Sequence, residues 1–231
     1  MNSHLNARKL LAAIGVQFSE DVSANDYKNA DIERALIAGS IAIEEGDLRV
    51  VNPLFTWIEK NGEFVNVERL KKIMKSHTDP EKIVWVYAMA FFGISHRQSR
   101  WKILATVQTK PKCLKNPHED PLEALEDAKT LQKLKGEPEW SKKTGFILAN
   151  TSIQTSSKFA LDKVALAKIS MPFRNRLLFG PNWRADIATA IGNGAKSAKE
   201  ICALTSCSHE PAHRVLSELT LLKQVSDGQL F

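Results

Sequence analysis

The sequence predicts a mainly α chain with small β-hairpins, arranged as a helical bundle. Three observations lead there. Apolar residues recur three and four apart along most of the 231 residues, the spacing of one helical face. Helix-capping residues such as Asn182 and Ser197 stand just before several of those runs. Two stretches, 40–51 and 223–231, read instead as paired runs around a turn.

From the N-terminus, 4–14 is a helix with Leu5, Leu10, Leu11 and Ile14 apolar. Residues 26–38 make another, with Ile32, Leu36 and Ile37 inward and Gly39 as its stop. Ser40-Ile41-Ala42-Ile43 and Leu48-Arg49-Val50-Val51 flank a turn containing Gly46, the signal of a hairpin. Residues 53–60 and 67–76 are further helices, the second ending in basic residues that suit its dipole. The run 81–92 is hydrophobic nearly all round, which marks the centre of a bundle, and Gly93 breaks it. A helix over 96–107 bears Arg97, Arg100 and Lys102 beside Trp101. The Lys- and Pro-rich loop 109–121 precedes a polar helix at 122–135 and a second loop at 136–145. Residues 146–149 fit a strand or a helical turn, 151–157 are Ser/Thr-rich and exposed, and 158–169 is a helix.

The last fifty residues carry the clearest functional signal. Asn182 caps a helix on which Ile187, Ala190 and Ile191 share a face, and Gly192-Asn193-Gly194 ends it. Ser197 caps a short helix with Glu200 three residues on, as in a capping box. Thr205-Ser206-Cys207-Ser208 is a tight turn, and Ser208 caps a third helix with Pro211 in its first turn. Ala212, Val215, Leu216, Leu219 and Leu222 form its apolar face, opposite His209, Glu210, His213, Arg214 and Ser217. Lys223-Gln224-Val225, Ser226-Asp227-Gly228 and Gln229-Leu230-Phe231 then read as strand, turn and strand.

This order resembles the winged helix-turn-helix domain of bacterial regulators of the MarR-like and ArsR-like groups. The segment from Phe179 to Ile187 is similar to their opening helix, and the one from Ser197 to Cys202 to the start of their helix-turn-helix. Ala212-His213-Arg214-Val215-Leu216-Ser217-Glu218-Leu219 is similar to their recognition helix. The resemblance covers about a quarter of the chain, over 171–231. It departs from the family in a wing that stops at Phe231 and in lacking a cluster of arginines on the recognition helix. It implies double-stranded DNA as partner and a homodimer spanning two half-sites. Helix followed by hairpin recurs at 26–51, so 1–78 reads either as a second, winged-helix-like unit or as a local α+β cap. Residues 79–170 make a helical middle region.

Composition is that of an ordinary globular protein, with 43% hydrophobic and 25% charged residues. Net charge is +6 and pI about 9.2, which favours a polyanionic partner. The charge is uneven: residues 1–80 carry −2, 81–170 carry +6 and 171–231 carry +2. Cys113, Cys202 and Cys207 form no CxxC pair, and no secretory h-region or membrane-length apolar run is present, so a cytoplasmic protein without membrane contact is expected.

Sites of chemistry are few. Cys202, Cys207, His209 and His213 have zinc-binding residue types, but at a spacing that fits packed cysteines and solvent-facing histidines better. Arg97, Arg100, Trp101 and Lys102 could grip phosphate and stack a base, or form a solvated face with Trp101 inward. His118-Glu119-Asp120 reads as a turn before a helix. No GxGxxG, GxxxxGK[ST], HExxH or GxSxG occurs, so no catalytic residue, metal or cofactor is assigned.

The reading is a DNA-binding transcriptional regulator or repressor-type antitoxin. Ser208, His209, His213, Arg214 and Ser217 would face bases, and Arg184, Lys196, Lys199 and Lys223 phosphates. The alternative is a non-enzymatic subunit or inhibitor whose winged helices dock a protein, such as a toxin or complex partner. For a dimer interface the sequence offers 83–92 or 158–169.

Overall fold

Apolar side chains at helical spacing need partners, and here they find them in other helices. The computed structural model describes residues 3–228, which are helix and loop apart from two isolated bridges, Val16–Ala160 and Lys112–Phe146. The chain is mainly α, as expected. Neither hairpin forms within the described residues. Among them, no helix is long and apolar enough to cross a membrane.

Helix α1 (Ser3–Ala13) packs on α3 (Ile32–Glu44). Between them lies the short α2 (Ala24–Lys28), closed at its start by a reciprocal Ser23–Asp26 capping box. The single helix expected at 26–38 is split because Asp31 caps α3, accepting the Arg34 N–H at 3.1 Å. Helix α3 then runs through Gly39 instead of stopping there. A Cβ at Gly39 would lie 2.7 Å from a Leu54 methyl, so this glycine serves close helix packing. The same residues that suggested a strand, Ala42 and Ile43, are buried on the inner face of α3, and packing overrides their β-like run. Beyond α3 the chain makes a turn, a 3-10 turn at Leu48–Val50 and then α4 (Val51–Asn61), so the second winged unit is not formed.

After α5 (Val67–Lys75), a 3-10 turn leads into α6 (Trp85–Ser95), which passes through Gly93. A Cβ there would meet the Trp101 ring at 2.9 Å. Trp85, Val86, Ala88, Met89 and Ala90 of α6 are inside the chain's own core, which removes this helix as a dimer surface. The helix expected at 96–107 is a 3-10 helix, Ser99–Leu104. It is set off from α6 by Arg97, whose φ of 64° is left-handed. Trp101 is fully buried and donates to the Gly62 carbonyl at 3.2 Å, so it cannot stack a base. Helix α7 (Pro121–Lys135) is capped by Asp120, which accepts the Leu122 N–H at 2.8 Å, and it buries only Ala124. Helix α8 (Lys163–Ile169) is shorter than expected. It is followed by α9 (Met171–Phe179), which the sequence pattern does not signal.

One apolar cluster runs from Ala7 to Phe173 around Trp57, Trp85 and Phe55, so 1–78 and 79–170 share a core. The N-terminus is fastened to it electrostatically. Arg8 Nε donates to Asp47 Oδ2 and Arg49 Nε to Asp47 Oδ1, each at 3.0 Å. Burial would raise the Asp47 carboxyl, but these hydrogen bonds and charges outweigh it and hold it below its ordinary value of 3.8. The stability this adds is complete above the ordinary value and is lost as pH falls through the depressed one. Urea midpoints taken at about pH 6 and about pH 3 should therefore fall further in the parent than in Asp47→Asn. Equal falls would show that this tether does not contribute.

Candidate nucleic-acid interface

Helices α10 (Trp183–Gly192), α11 (Ala198–Thr205) and α12 (His209–Gly228) form a small unit of their own. Their starts arise from local chemistry: Asn182 Oδ1 accepts the Arg184 N–H at 2.9 Å, and Ser197 Oγ accepts the Glu200 N–H at 3.3 Å. Glu200 Oε2 reaches back to the Lys196 N–H at 2.8 Å, one residue before the cap. Each helix packs on the other two, around Ile187, Ala190, Ile201, Ala212 and Val215. Between α11 and α12 lie only Ser206, Cys207 and Ser208. Ser206 takes the left-handed conformation, φ 65° and ψ 15°, and donates to the Cys202 carbonyl at 2.9 Å. Two helices joined by three residues stand where the sequence predicts a helix-turn-helix.

Among the described residues no wing forms. Residues 223–228, read as strand and turn, are the last turns of α12, and Gln229-Leu230-Phe231 lie outside the described residues. Extending a helix already nucleated is cheap, whereas an isolated hairpin with three-residue strands is marginal. Lys223 thus sits on the backbone of α12 and not on a wing.

The structure brings the five predicted base-facing residues together. His209, Glu210, His213, Arg214 and Ser217 of α12 are exposed, as is Ser208 just before it, while Ala212 and Val215 of the same helix face the small core. His209 and His213 stack with ring centres 6.0 Å apart, and Arg214 Nη1 lies 3.1 Å from Glu210 Oε1. Cys207 is on the inner side, buried in the small core with Cys202 packed beside it. Burial pushes the Cys207 thiol up. Cysteines and histidines therefore face opposite sides, and among the described residues no cluster of His, Cys, Asp or Glu is arranged for a metal.

The predicted phosphate contacts are more dispersed. Lys196 and Lys199 lie at the start of α11, Lys199 exposed. Arg184 lies 5.7 Å from the Phe179 ring and 2.8 Å from Glu218 Oε2, near enough for an ion pair although without hydrogen-bond geometry. Residues 182–228 hold five basic residues (Arg184, Lys196, Lys199, Arg214, Lys223) against five acidic ones, so this unit has no net charge. Positive charge comes from the neighbouring body. Lys72 of α5 lies 5.9 Å from the Trp183 ring centre at the start of α10, near exposed Lys75. The 3-10 helix carrying Arg100 and Lys102 packs on α5, and Arg100 Nη1 donates to the Pro181 carbonyl at 3.1 Å. The sequence signals for this band were the basic end of α5 and the +6 charge of 81–170.

A buried ionic network joins the unit to the body. Glu33 of α3, fully buried, receives Arg176 at 2.8 and 2.9 Å and Arg69 at 2.5 Å. Arg176 also binds Asp186 of α10 at 2.6 Å. Arg69 also binds Asp31 at 2.6 Å and donates to the Thr205 carbonyl at the end of α11, 2.9 Å away. Asn66 Nδ2 donates to Asp186 Oδ2 at 2.8 Å. Burial opposes ionisation of Glu33, but the charges of Arg176 and Arg69 prevail and hold it below its ordinary value. Asp186 goes the other way: burial pushes it up and Arg176 only partly offsets this, because three carboxylates share two guanidiniums. The docked unit is thus held at a fixed place on the body. No family model matches the chain, and no curated protein or solved structure matches it significantly.

Proposed function

We propose that this chain is a cytoplasmic DNA-binding protein, a transcriptional regulator or repressor-type antitoxin, that places α12 in the major groove. The observation carrying this reading is the outer face of α12, where Ser208, His209, His213, Arg214 and Ser217 stay accessible after a three-residue turn. Arg184, Lys196 and Lys199 would hold phosphates at the unit, and Lys72 and Lys75 would continue the contact onto the body. The pairs Arg214–Glu210 and Arg184–Glu218 are surface pairs and cheap to exchange for phosphate or base. A homodimer would use, in place of α6, the other expected segment, 158–169, where Val164 and Ile169 are 65% and 42% exposed, or Leu177 and Leu178, 52% and 70% exposed.

Fluorescence anisotropy with a mixed-sequence duplex tests the reading. Affinity should fall steeply between about 50 and 200 mM salt, and Lys72→Ala with Lys75→Ala should lower the slope by about 0.9 per lost contact. No binding at the lower salt would favour a second reading, docking of a protein partner. Two features support that one: the unit's lack of net charge, and Leu204 and Leu221, 55% and 61% exposed on α11 and α12.

A further inference from the structure

On the body, next to the entry into α10, is a cleft of about 630 Å³. Phe64, Trp101 and Arg176 line it from inside, and Arg97, Arg100 and Pro181 from the surface. Its lining holds five lysines and arginines against two glutamates, Glu59 and Glu63. Of those acids Glu63 pairs with Lys163, and Glu59 Oε1 lies 3.6 Å from His96 Nε2. Lys60 is held by the carbonyls of Ser157 and Ala160 at 2.9 and 3.0 Å. The Arg97 guanidinium has no hydrogen bond or ion pair to the described residues, and that of Arg100 has only the Pro181 carbonyl. Two guanidiniums with donors to spare therefore border one cavity.

Two further features set the cleft apart from an ordinary basic surface. Arg97 occupies the left-handed position that ends α6, where glycine or asparagine is usual, so a cation stands at this rim at a cost in backbone strain. Gln98 Oε1 and Arg176 Nε, both on lining residues, are buried without a partner among the described residues. Gln98 Nε2 is fixed by the Ile58 carbonyl at 2.7 Å, and its oxygen is packed against Gly62 and Gly93.

We propose that this cleft binds a small phosphorylated molecule. A guanidinium matches phosphate oxygens with parallel hydrogen bonds, and the volume lies within the usual range for small-ligand sites. Arg97 and Arg100 hold the phosphate oxygens. An occupant draws on Arg100, which holds Pro181 one residue before the Asn182 cap, and abuts Arg176, which ties Glu33 to Asp186. Occupancy is thereby felt at the base of α10. Binding itself does not depend on the DNA reading, and it can be measured without DNA.

Isothermal titration of the full chain with pyrophosphate and with ADP at low ionic strength provides the test. The parent should bind saturably at one site, and Arg97→Gly and Arg100→Gln should each weaken binding at least roughly tenfold. Lys133→Ala, on α7 outside the cleft, should leave it unchanged. Arg97→Gly should melt no lower than the parent, since glycine relaxes the left-handed backbone, so its loss of binding cannot be ascribed to misfolding. The proposal is overturned if neither compound binds saturably, or if both arginine variants bind as the parent does. It is also overturned if Arg97 matters only for duplex DNA, which would make the cleft part of the DNA surface.

Discussion

Arg176→Met is expected to destabilise the fold by about 3–5 kcal/mol, the cost of removing one partner from a buried ion pair. Methionine keeps much of the side-chain volume, so the loss is electrostatic. In the parent two guanidiniums, Arg69 and Arg176, serve Glu33, Asp186 and Asp31. In the variant Arg69 still pairs with Glu33 and Asp31, but Asp186 loses its 2.6 Å partner and the Phe64 carbonyl loses its donor. These losses set the sign of the pH dependence. Glu33, depressed in the parent, gives stability present above the ordinary carboxyl value of 4.5 and lost as pH falls through its depressed value. Without Arg176 both Glu33 and Asp186 are raised, and protonating them relieves the variant. The difference in stability between parent and variant should therefore be largest near about pH 7 and shrink toward about pH 5. Urea unfolding at the two values checks this, and a cost under about 1 kcal/mol at the higher one would mean that the pairs are not buried as described. Amide exchange should also speed up first in α10 and α11, because Asp186 and the Thr205 carbonyl are where the network holds them.

What the sequence made legible was local. Asn182, Ser197 and Asp120 cap helices through bonds spanning two or three residues, and so each can be read from its neighbours. The three-residue turn and the polar outer face of α12 are equally local. Gly39 and Gly93 look like breaks in sequence because the reason for each lies elsewhere in the chain, in Leu54 and Trp101. The stretches 40–51 and 223–231 look like hairpins because short runs of isoleucine, valine and leucine suit a strand or an inward helix face alike. The network at Glu33, Arg69, Arg176 and Asp186 left little trace in sequence, since its members lie on four helices and each looks like an ordinary surface charge. One signal was present: Glu33 directly follows Ile32, and Asp186 sits between Ala185 and Ile187, beside positions that belong to an apolar face.

The proposed reading of DNA by the outer face of α12 is tested most directly by His213→Ala with Arg214→Ala. Both side chains are exposed, and Arg214 leaves only a surface pair with Glu210, so the double variant should keep its stability within about 0.5 kcal/mol. A guanine contact from Arg214 is worth roughly 1–3 kcal/mol of discrimination. The decisive measurement starts from a random duplex pool, enriches the sequence that the parent prefers, and compares affinity for that duplex and a scrambled one at a single salt concentration. The parent should favour the enriched duplex by about tenfold or more, and the double variant should bind both with the parent's weaker affinity. A parent that enriches no sequence, or a double variant that discriminates as well as the parent, would contradict the proposed reading.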